Sequence, residues 1–144
     1  HTICNNNCKR KLNRCNMNKK SRILIVEDNA DMHLLLSNII QDAGYDTSSV
    51  YNSFDALKIY EQTHPEIIIL DMWLPGKDGL EIIREVKQQN ADVKIILITA
   101  YGDYNTEKKI MDMGAYAYFT KPFSNRELLN TIDHAFDEDI VEAQ

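Results

Sequence analysis

The chain has 144 residues, of which 44% are hydrophobic and 26% are charged, a composition typical of one soluble globular domain. Its apolar runs fall far short of the roughly 20 residues that a membrane-spanning helix needs, so we expect a cytoplasmic protein that does not enter a membrane. Residues 1 to 20 hold six Lys and Arg and no acidic residue, whereas the remainder holds ten Lys and Arg against 22 Asp and Glu, a net charge of −12. So acidic a body argues against direct nucleic-acid binding and favours a divalent cation.

The first 20 residues are predicted to be a flexible basic leader. Met17 runs almost at once into an apolar strand pattern, so we expect it to be the native initiator and the residues before it to be foreign to the protein. An alternative is a zinc site made by His1 with the three cysteines Cys4, Cys8 and Cys15, but their spacing lacks a Cys-x2-Cys pair.

From Arg22 onward, short apolar runs alternate with amphipathic stretches. The predicted strands are residues 23–26, 47–50, 67–70, 94–99 and 116–119. The predicted helices are residues 29–43, 53–62, 80–89, 103–113 and 124–136. Ser53 and Asp103 are predicted to cap the second and fourth of these helices, and Gly44 and Gly114 to end the first and fourth.

The first two helices are each predicted to have one buried apolar side. In the first helix these residues are Met32, Leu35, Leu36, Ile39, Ile40 and Ala43, and in the second they include Phe54, Leu57 and Ile59 or Tyr60. Leu34 is predicted to lie opposite the buried side of the first helix. It is either an ordinary surface residue or a contact for a partner. His33, His64 and His134 are all predicted to be solvent-exposed.

Five strands that alternate with five helices indicate a doubly wound parallel sheet. Two strand orders are common, and we predict the flavodoxin-like order 2-1-3-4-5, in an α/β domain of residues 21–136. The acidic residues 137–144 are predicted to form a tail or the start of a linker.

Asp71 is the residue around which the predicted site is organised. It ends the buried run 67–70, where a lone carboxylate is unfavourable unless it is paired, hydrogen-bonded or bound to a metal. In the predicted strand order, Glu27 and Asp28 end the neighbouring first strand. Three carboxylates that share one pocket raise one another's pKa or require a cation, and a site of few oxygen ligands suits Mg²⁺.

Two further polar residues belong to the same edge of the sheet. Thr99 ends the fourth strand, and Lys121 follows the fifth. A metal, an ammonium group and a hydroxyl around a carboxylate can surround the oxygens of a transferring phosphoryl group. The sequence therefore predicts phosphoryl transfer to Asp71.

The motifs around these residues resemble those of a receiver domain of a two-component response regulator. They are Ile-Leu-Ile-Val-Glu-Asp-Asn from Ile23, Leu-Asp-Met-Trp-Leu-Pro-Gly-Lys-Asp-Gly from Leu70, Ile-Thr-Ala-Tyr-Gly from Ile98 and Gly-Ala-Tyr-Ala-Tyr-Phe-Thr-Lys-Pro-Phe from Gly114. Together they cover residues 22 to about 136, and their wording is closest to receivers of nitrogen-regulator and sporulation-phosphorelay type. Two departures are Glu27, where an Asp is commoner, and Lys77, where an apolar residue is usual.

The resemblance implies roles for individual residues. Asp71 would be the phosphoacceptor, Lys121 would contact the phosphate, and Mg²⁺ would be held by Glu27, Asp28, Asp71 and the backbone carbonyl of Trp73. The Lys121–Pro122 peptide bond would be cis.

The resemblance also implies a conformational switch and partners. On phosphorylation, Thr99 would move to bond the new oxygen and free space that Tyr118 turns into. This would remodel a face within residues 103–128, which would contact an output partner. The phosphoryl donor would be a sensor histidine kinase or a histidine phosphotransfer domain, and a phosphorylation-dependent homodimer is left open.

The protein is expected to catalyse its own phosphorylation without being a conventional enzyme. Its self-dephosphorylation should be slow. Trp73 and Tyr101 are predicted to flank the approach of the hydrolytic water, and neither is an efficient general base near neutral pH. The opposing interpretation is that both aromatic residues point outward as partner contacts.

Two other functions are disfavoured by the residues. A magnesium-dependent aspartyl phosphatase would need a second carboxylate two residues after Asp71, where this chain has Trp73. A flavodoxin-like FMN carrier would need a phosphate-binding loop after the first strand, where Glu27 and Asp28 would repel the anion. A receiver domain excised from a hybrid histidine kinase or from a multidomain transcriptional regulator stays open.

Overall fold

Strands and helices alternate along the computed structural model, which describes residues 22–72, 79–100 and 102–142. The strands are β1 (Arg22–Val26), β2 (Asp46–Val50), β3 (Ile67–Asp71), β4 (Lys94–Thr99) and β5 (Ala117–Thr120). The helices are α1 (Ala30–Asp42), α2 (Ser53–Thr63), α3 (Gly79–Gln89), α4 (Tyr104–Asp112) and α5 (Asn125–Glu142). None of the helices in this part of the chain is both long and apolar enough to span a membrane.

The strands form one parallel sheet in the order β2-β1-β3-β4-β5, which confirms the predicted flavodoxin-like fold. Side chains alternate across the sheet, so each face has its own apolar layer. Ile68 and Leu70 of β3 pack with residues of α2, α3 and α4, whereas Ile67 and Ile69 pack with residues of α1 and α5. Because helices cover both faces, β3 is a continuous apolar run rather than an alternating one.

Four helices follow a residue whose side chain accepts a backbone N–H three positions on. These N-caps are Asn29, Asn52, Asp103 and Ser124. The prediction of Asp103 is confirmed, but the prediction of Ser53 was wrong, because Ser53 is already the first residue of α2. Gly44 and Gly114 follow the ends of α1 and α4 with φ of 97° and 103°, as predicted for residues that end helices.

The end of α5 differs from the prediction. The helix was expected to end at Phe136 but continues to Glu142, through most of the acidic segment 137–144. Acidic residues are compatible with helix, and composition alone did not distinguish a helical end from a tail.

The buried sides of α1 and α2 are narrower than predicted. In α1 the buried positions are His33, Leu36 and Ile40, and Leu35 is exposed. In α2 they are Ser53, Ala56 and Tyr60, and Phe54 is 70% exposed. The spacing of three and then four residues defines each buried stripe, and Leu35 and Phe54 lie about 100° away from a buried neighbour around the helix.

Met72 and Gly79 close the loop that follows β3. The Gly79 N–H donates to the Met72 carbonyl at 3.3 Å, and a Cβ at position 79 would lie only 3.1 Å from Met72 Cα. The close approach of the two backbones therefore favours glycine here.

Candidate functional site

Three carboxylates meet at the carboxyl ends of β1 and β3. Val26 pairs with Leu70 across these two strands, so Glu27 and Asp71, the next residues in each, lie side by side. One carboxylate oxygen from each of Glu27, Asp28 and Asp71 lies within 4.8 Å of the others. Glu27 is 2% exposed and Asp71 8% exposed, whereas Asp28 is open to solvent.

Lys121 places a positive charge between the two buried carboxylates. Its Nζ lies 2.9 Å from Glu27 Oε1 and 3.2 Å from Asp71 Oδ2. The backbone holds the lysine in this position, because the Lys121 N–H donates to the Thr99 carbonyl at 2.7 Å. The Lys121–Pro122 bond is cis, as expected. The residue that follows β5 thereby reaches the ends of β1 and β3.

The acidity of Glu27 is strongly altered by this environment. Burial, followed by the hydrogen bond with Asp71, raises the pKa of Glu27 from 4.5 to about 7, although the hydrogen bond from Lys121 acts in the opposite direction. Burial tends to lower the pKa of Lys121, but the hydrogen bond to Glu27 and the charges of Asp71 and Glu27 outweigh it and raise that pKa. One ammonium group thus only partly neutralises the carboxylates.

The donor set fits a magnesium ion. The three side chains offer only carboxylate oxygens, the ligand type that Mg²⁺ prefers, and one of them faces solvent, where water can complete an octahedral shell. Burial raises the pKa of Glu27, and a divalent cation bound beside it would favour the charged carboxylate.

Thr99 and Tyr118 lie on the β4 and β5 side of the site. Thr99 is fully buried at the end of β4 and pairs with Thr120 of β5. Tyr118 pairs with Leu97. It lies two residues before Thr120 in β5, so the two side chains are on the same face of the sheet, and that of Tyr118 is not in the carboxylate cluster. Burial, followed by the charges of Glu107 and Asp103, raises the pKa of Tyr118.

The remaining predicted positions near the site lie outside the described residues. They are Trp73, with its carbonyl as a metal ligand, Lys77, and Tyr101, the second residue predicted to shield the phosphorylated state.

The prediction that His33 is solvent-exposed was wrong. His33 is 2% exposed and stacks on Tyr51, which directly follows β2, with 4.3 Å between ring centroids. The signal that could have found it is its spacing of three and seven residues from Leu36 and Ile40. His64 and His134 are exposed, as predicted.

Comparisons with known proteins agree with this geometry. A family model described as the response regulator receiver domain matches residues 23–133. Sporulation initiation phosphotransferase F of Bacillus subtilis is 34% identical over 116 residues, which are 81% of this chain and 92% of that protein. An NtrX-like response regulator of Rickettsia bellii is 35% identical over 115 residues, but these are 78% of this chain and only 24% of that protein.

A solved structure is similar in fold as well as in sequence. The solution structure of the beryllofluoride-activated NtrC4 receiver domain dimer matches with a TM-score of 0.78 and 35% identity, over 82% of this chain and 98% of that chain. The similarity therefore spans nearly the whole of two of these proteins and about a quarter of the third.

Proposed function

This chain belongs to the response regulator receiver domain family, and we propose that it takes a phosphoryl group from a phosphohistidine onto Asp71 and signals through the conformational change that follows. The observation that carries the proposal is the position of the Asp71 carboxylate, which is 8% exposed, 3.2 Å from Lys121 Nζ and beside two other carboxylates.

Asp71 is suited to be the attacking group. One of its carboxylate oxygens attacks the phosphorus atom in line with the leaving group. The new O–P bond forms as the P–N bond to the donor imidazole breaks, and the imidazole keeps the electron pair. With a small acyl phosphate, the bond that breaks is the P–O bond to the donor carboxylate.

Lys121 and the acidic residues stabilise the charge of the transferring group. The Lys121 ammonium, held within hydrogen-bond distance of Asp71, is placed to bind an oxygen of the phosphoryl group. Glu27, Asp28 and Asp71, with the Trp73 carbonyl as a further proposed ligand, would hold Mg²⁺. The ion would supply positive charge to the phosphoryl oxygens.

The proposed donor is a sensor histidine kinase or a histidine phosphotransfer domain, and the proposed output face lies within residues 103–128. A phosphotransferase among the similar proteins supports a role in phosphoryl relay. The much longer NtrX-like relative supports the alternative of a receiver within a multidomain regulator. In both cases the chemistry at Asp71 is the same.

Phosphorylation by a small acyl phosphate tests the assignment directly. In the presence of Mg²⁺, intact-protein mass spectrometry should show the addition of one phosphoryl group, and Asp71→Asn should abolish it. Removal of Mg²⁺ with a chelator should slow the labelling strongly.

Asp46→Asn is the matched control. Asp46 is exposed and begins β2, so it lies at the amino ends of the parallel strands, opposite to the site. This variant should be labelled as fast as the parent. Labelling that survives in Asp71→Asn would refute Asp71 as the phosphoacceptor.

A further inference from the structure

A cavity of about 300 Å³ lies at the amino ends of β4 and β5, beside the end of α3. Its lining comes from Lys87, from the start of β4 with the two residues 91–92 before it, and from residues 114–116, which lead into β5. β4 runs from this cavity to Thr99, so the length of the strand separates the cavity from the site around Asp71. A cavity of this volume is large enough for a small molecule.

Positive charge predominates in this cavity, although residues 21–144 carry a net charge of −12. Lys87 and Lys94 supply two ammonium groups, and Asp92 supplies the single carboxylate among the described lining residues. Burial lowers the pKa of Lys87; the charge of Asp92 opposes this shift, and the charge of Lys94 adds to it. An anion placed between the two ammonium groups would therefore be attracted by both.

Lys87 is held at the cavity by backbone carbonyls. Its Nζ donates to the carbonyl oxygen of Val93 at 2.7 Å and to that of Ala91 at 3.0 Å, and its side chain packs over Gly114. In the described part of the chain, neither of these hydrogen bonds goes to a carboxylate. Because an ammonium group has three N–H donors, Lys87 keeps one donor for a ligand.

Lys94 is also held in place before any ligand binds. Its Nζ donates to the carbonyl oxygen of Ala135 at 2.9 Å and lies 5.9 Å from the centre of the Tyr116 ring. Two long side chains that are already ordered lose little conformational freedom when a ligand binds, which favours binding.

We propose that this cavity binds a small anion of the phosphate class, held by Lys87 and Lys94. Lysine binds phosphate as a point charge, and a phosphate monoester carries a charge of about −1.5 to −2 at pH 7, which two ammonium groups match. Asp92 weakens the binding by repulsion. Because the cavity is remote from Asp71, binding there goes beyond the proposed function and does not depend on it.

Backbone NMR without Mg²⁺ measures this binding. Inorganic phosphate should shift the amide signals of residues 114–116 and saturate in the millimolar range, whereas sodium chloride at the same ionic strength should not. The Cε signal of Lys87 should titrate at a higher pH with phosphate bound, because the anion favours the charged amine. Glycerol phosphate is the second probe. Tighter binding than that of inorganic phosphate would identify the phosphate group of a metabolite as the ligand, and otherwise the ligand is the free ion.

Substitution of each lysine tests its part in the site. Lys87→Gln and Lys94→Gln should each weaken phosphate binding at least several-fold. Lys58→Gln is the matched control, since Lys58 is an exposed lysine of α2 that does not line the cavity, and it should bind phosphate as the parent does. Unchanged amide signals from the buried strand β3 would show that the variants are folded.

Asp92→Asn gives a change in the opposite direction. Asp92 is exposed, and removal of its charge should strengthen phosphate binding several-fold. Asp46→Asn makes the same change in charge three strands away, at roughly 14 Å, which exceeds the screening length of about 8–10 Å in physiological salt, so it should leave binding unchanged. Equal binding by Asp92→Asn and the parent would overturn the inference.

The outcomes distinguish this inference from the proposed function. The inference is overturned if neither probe shifts residues 114–116 saturably, or if folded Lys87→Gln and Lys94→Gln bind phosphate as the parent does. Loss of binding in Asp71→Asn would place the phosphate at the acidic site and would also overturn it, while the proposed function stands. A parent that binds phosphate at residues 114–116 but is not labelled by an acyl phosphate would refute only the proposed function.

Discussion

Among single residues, Glu27 shows the strongest effect of its surroundings. Its carboxyl group binds a proton more tightly in the folded protein, where the pKa is about 7, than in the unfolded chain, where the ordinary value is 4.5. Between these two values the folded state carries more protons than the unfolded state, so the free energy of unfolding falls as pH rises.

We predict that the metal-free protein loses about 1–3 kcal/mol of stability as pH rises from below 4.5 to above 7 because of Glu27. Urea unfolding at a series of pH values measures this loss. Addition of Mg²⁺ above pH 7 should restore part of it, because the ion stabilises the charged carboxylates and binds only the folded state. Glu27→Gln is the control and should flatten the pH dependence. An equally steep dependence in Glu27→Gln would show that another group is responsible.

His33 is a buried histidine with an incomplete set of hydrogen bonds. Its Nδ1 lies 3.4 Å from Ser37 Oγ, whereas its Nε2 has no partner in the described part of the chain. The ring therefore contributes mainly through packing and through its stacking on Tyr51.

We predict that His33→Phe changes the free energy of unfolding by less than about 1 kcal/mol, because it keeps a stacked ring and removes an unpaired nitrogen. His33→Ala should cost about 2–4 kcal/mol, because it leaves a cavity beneath Tyr51. Chemical denaturation of both variants measures the difference. Equal losses in the two variants would mean that the imidazole nitrogens, rather than the ring, stabilise this region.

At the scale of elements, α1 combines a core-facing side with an apolar residue that nothing covers within the described chain. Leu34 is 61% exposed and lies on the outward side of the helix. Asp71 is nearly buried. If it attacks the phosphorus atom of a phosphohistidine in line, as proposed, then this donor must be brought over α1 and over the segment after Lys121, where Pro122 is exposed.

We predict that Leu34→Asp slows phosphoryl transfer from a cognate histidine kinase at least several-fold but leaves labelling by a small acyl phosphate unchanged. Radiolabel transfer and mass spectrometry measure the two rates. Gln88→Asp, at an exposed position of α3, makes the same change in charge and should leave both rates unchanged. A loss of both rates in Leu34→Asp would indicate damage to the fold rather than to docking.

At the scale of the whole molecule, the parallel sheet connects the acidic site to a distant face. Asp71, Thr99 and Lys121 follow one another across the ends of β3, β4 and β5, and Tyr118 lies in β5 between the site and α4. We therefore expect a change at Asp71 to reach α4 and the start of α5 through these residues.

We predict that beryllofluoride with Mg²⁺ shifts backbone NMR signals across residues 103–128 as well as at the site. Thr99→Ala should confine the shifts to residues near Asp71, since the buried hydroxyl at the end of β4 is then absent. Shifts that stay confined to the site in the parent would refute the coupling while leaving phosphorylation of Asp71 intact.

The parallel sheet and the edge that holds the site followed from the sequence, which left two common strand orders, of which the predicted one is observed. The runs 23–26, 67–70 and 95–98 are apolar without interruption because helices cover both faces of the sheet, and a parallel sheet brings all carboxyl ends to one edge. Glu27, Asp28, Asp71, Thr99 and Lys121 were found because each stands at or just after the end of such a run.

Only the tertiary structure decided which side chains of the helices are buried and how the charged groups of the site interact. His33 and Leu35 are two positions apart in α1, and the rotation of the helix on the sheet buries the histidine and exposes the leucine. The pKa of Glu27 depends on burial and on Lys121, a residue far along the chain. Packing and electrostatics are set by atoms that meet only after folding, and no local pattern records them.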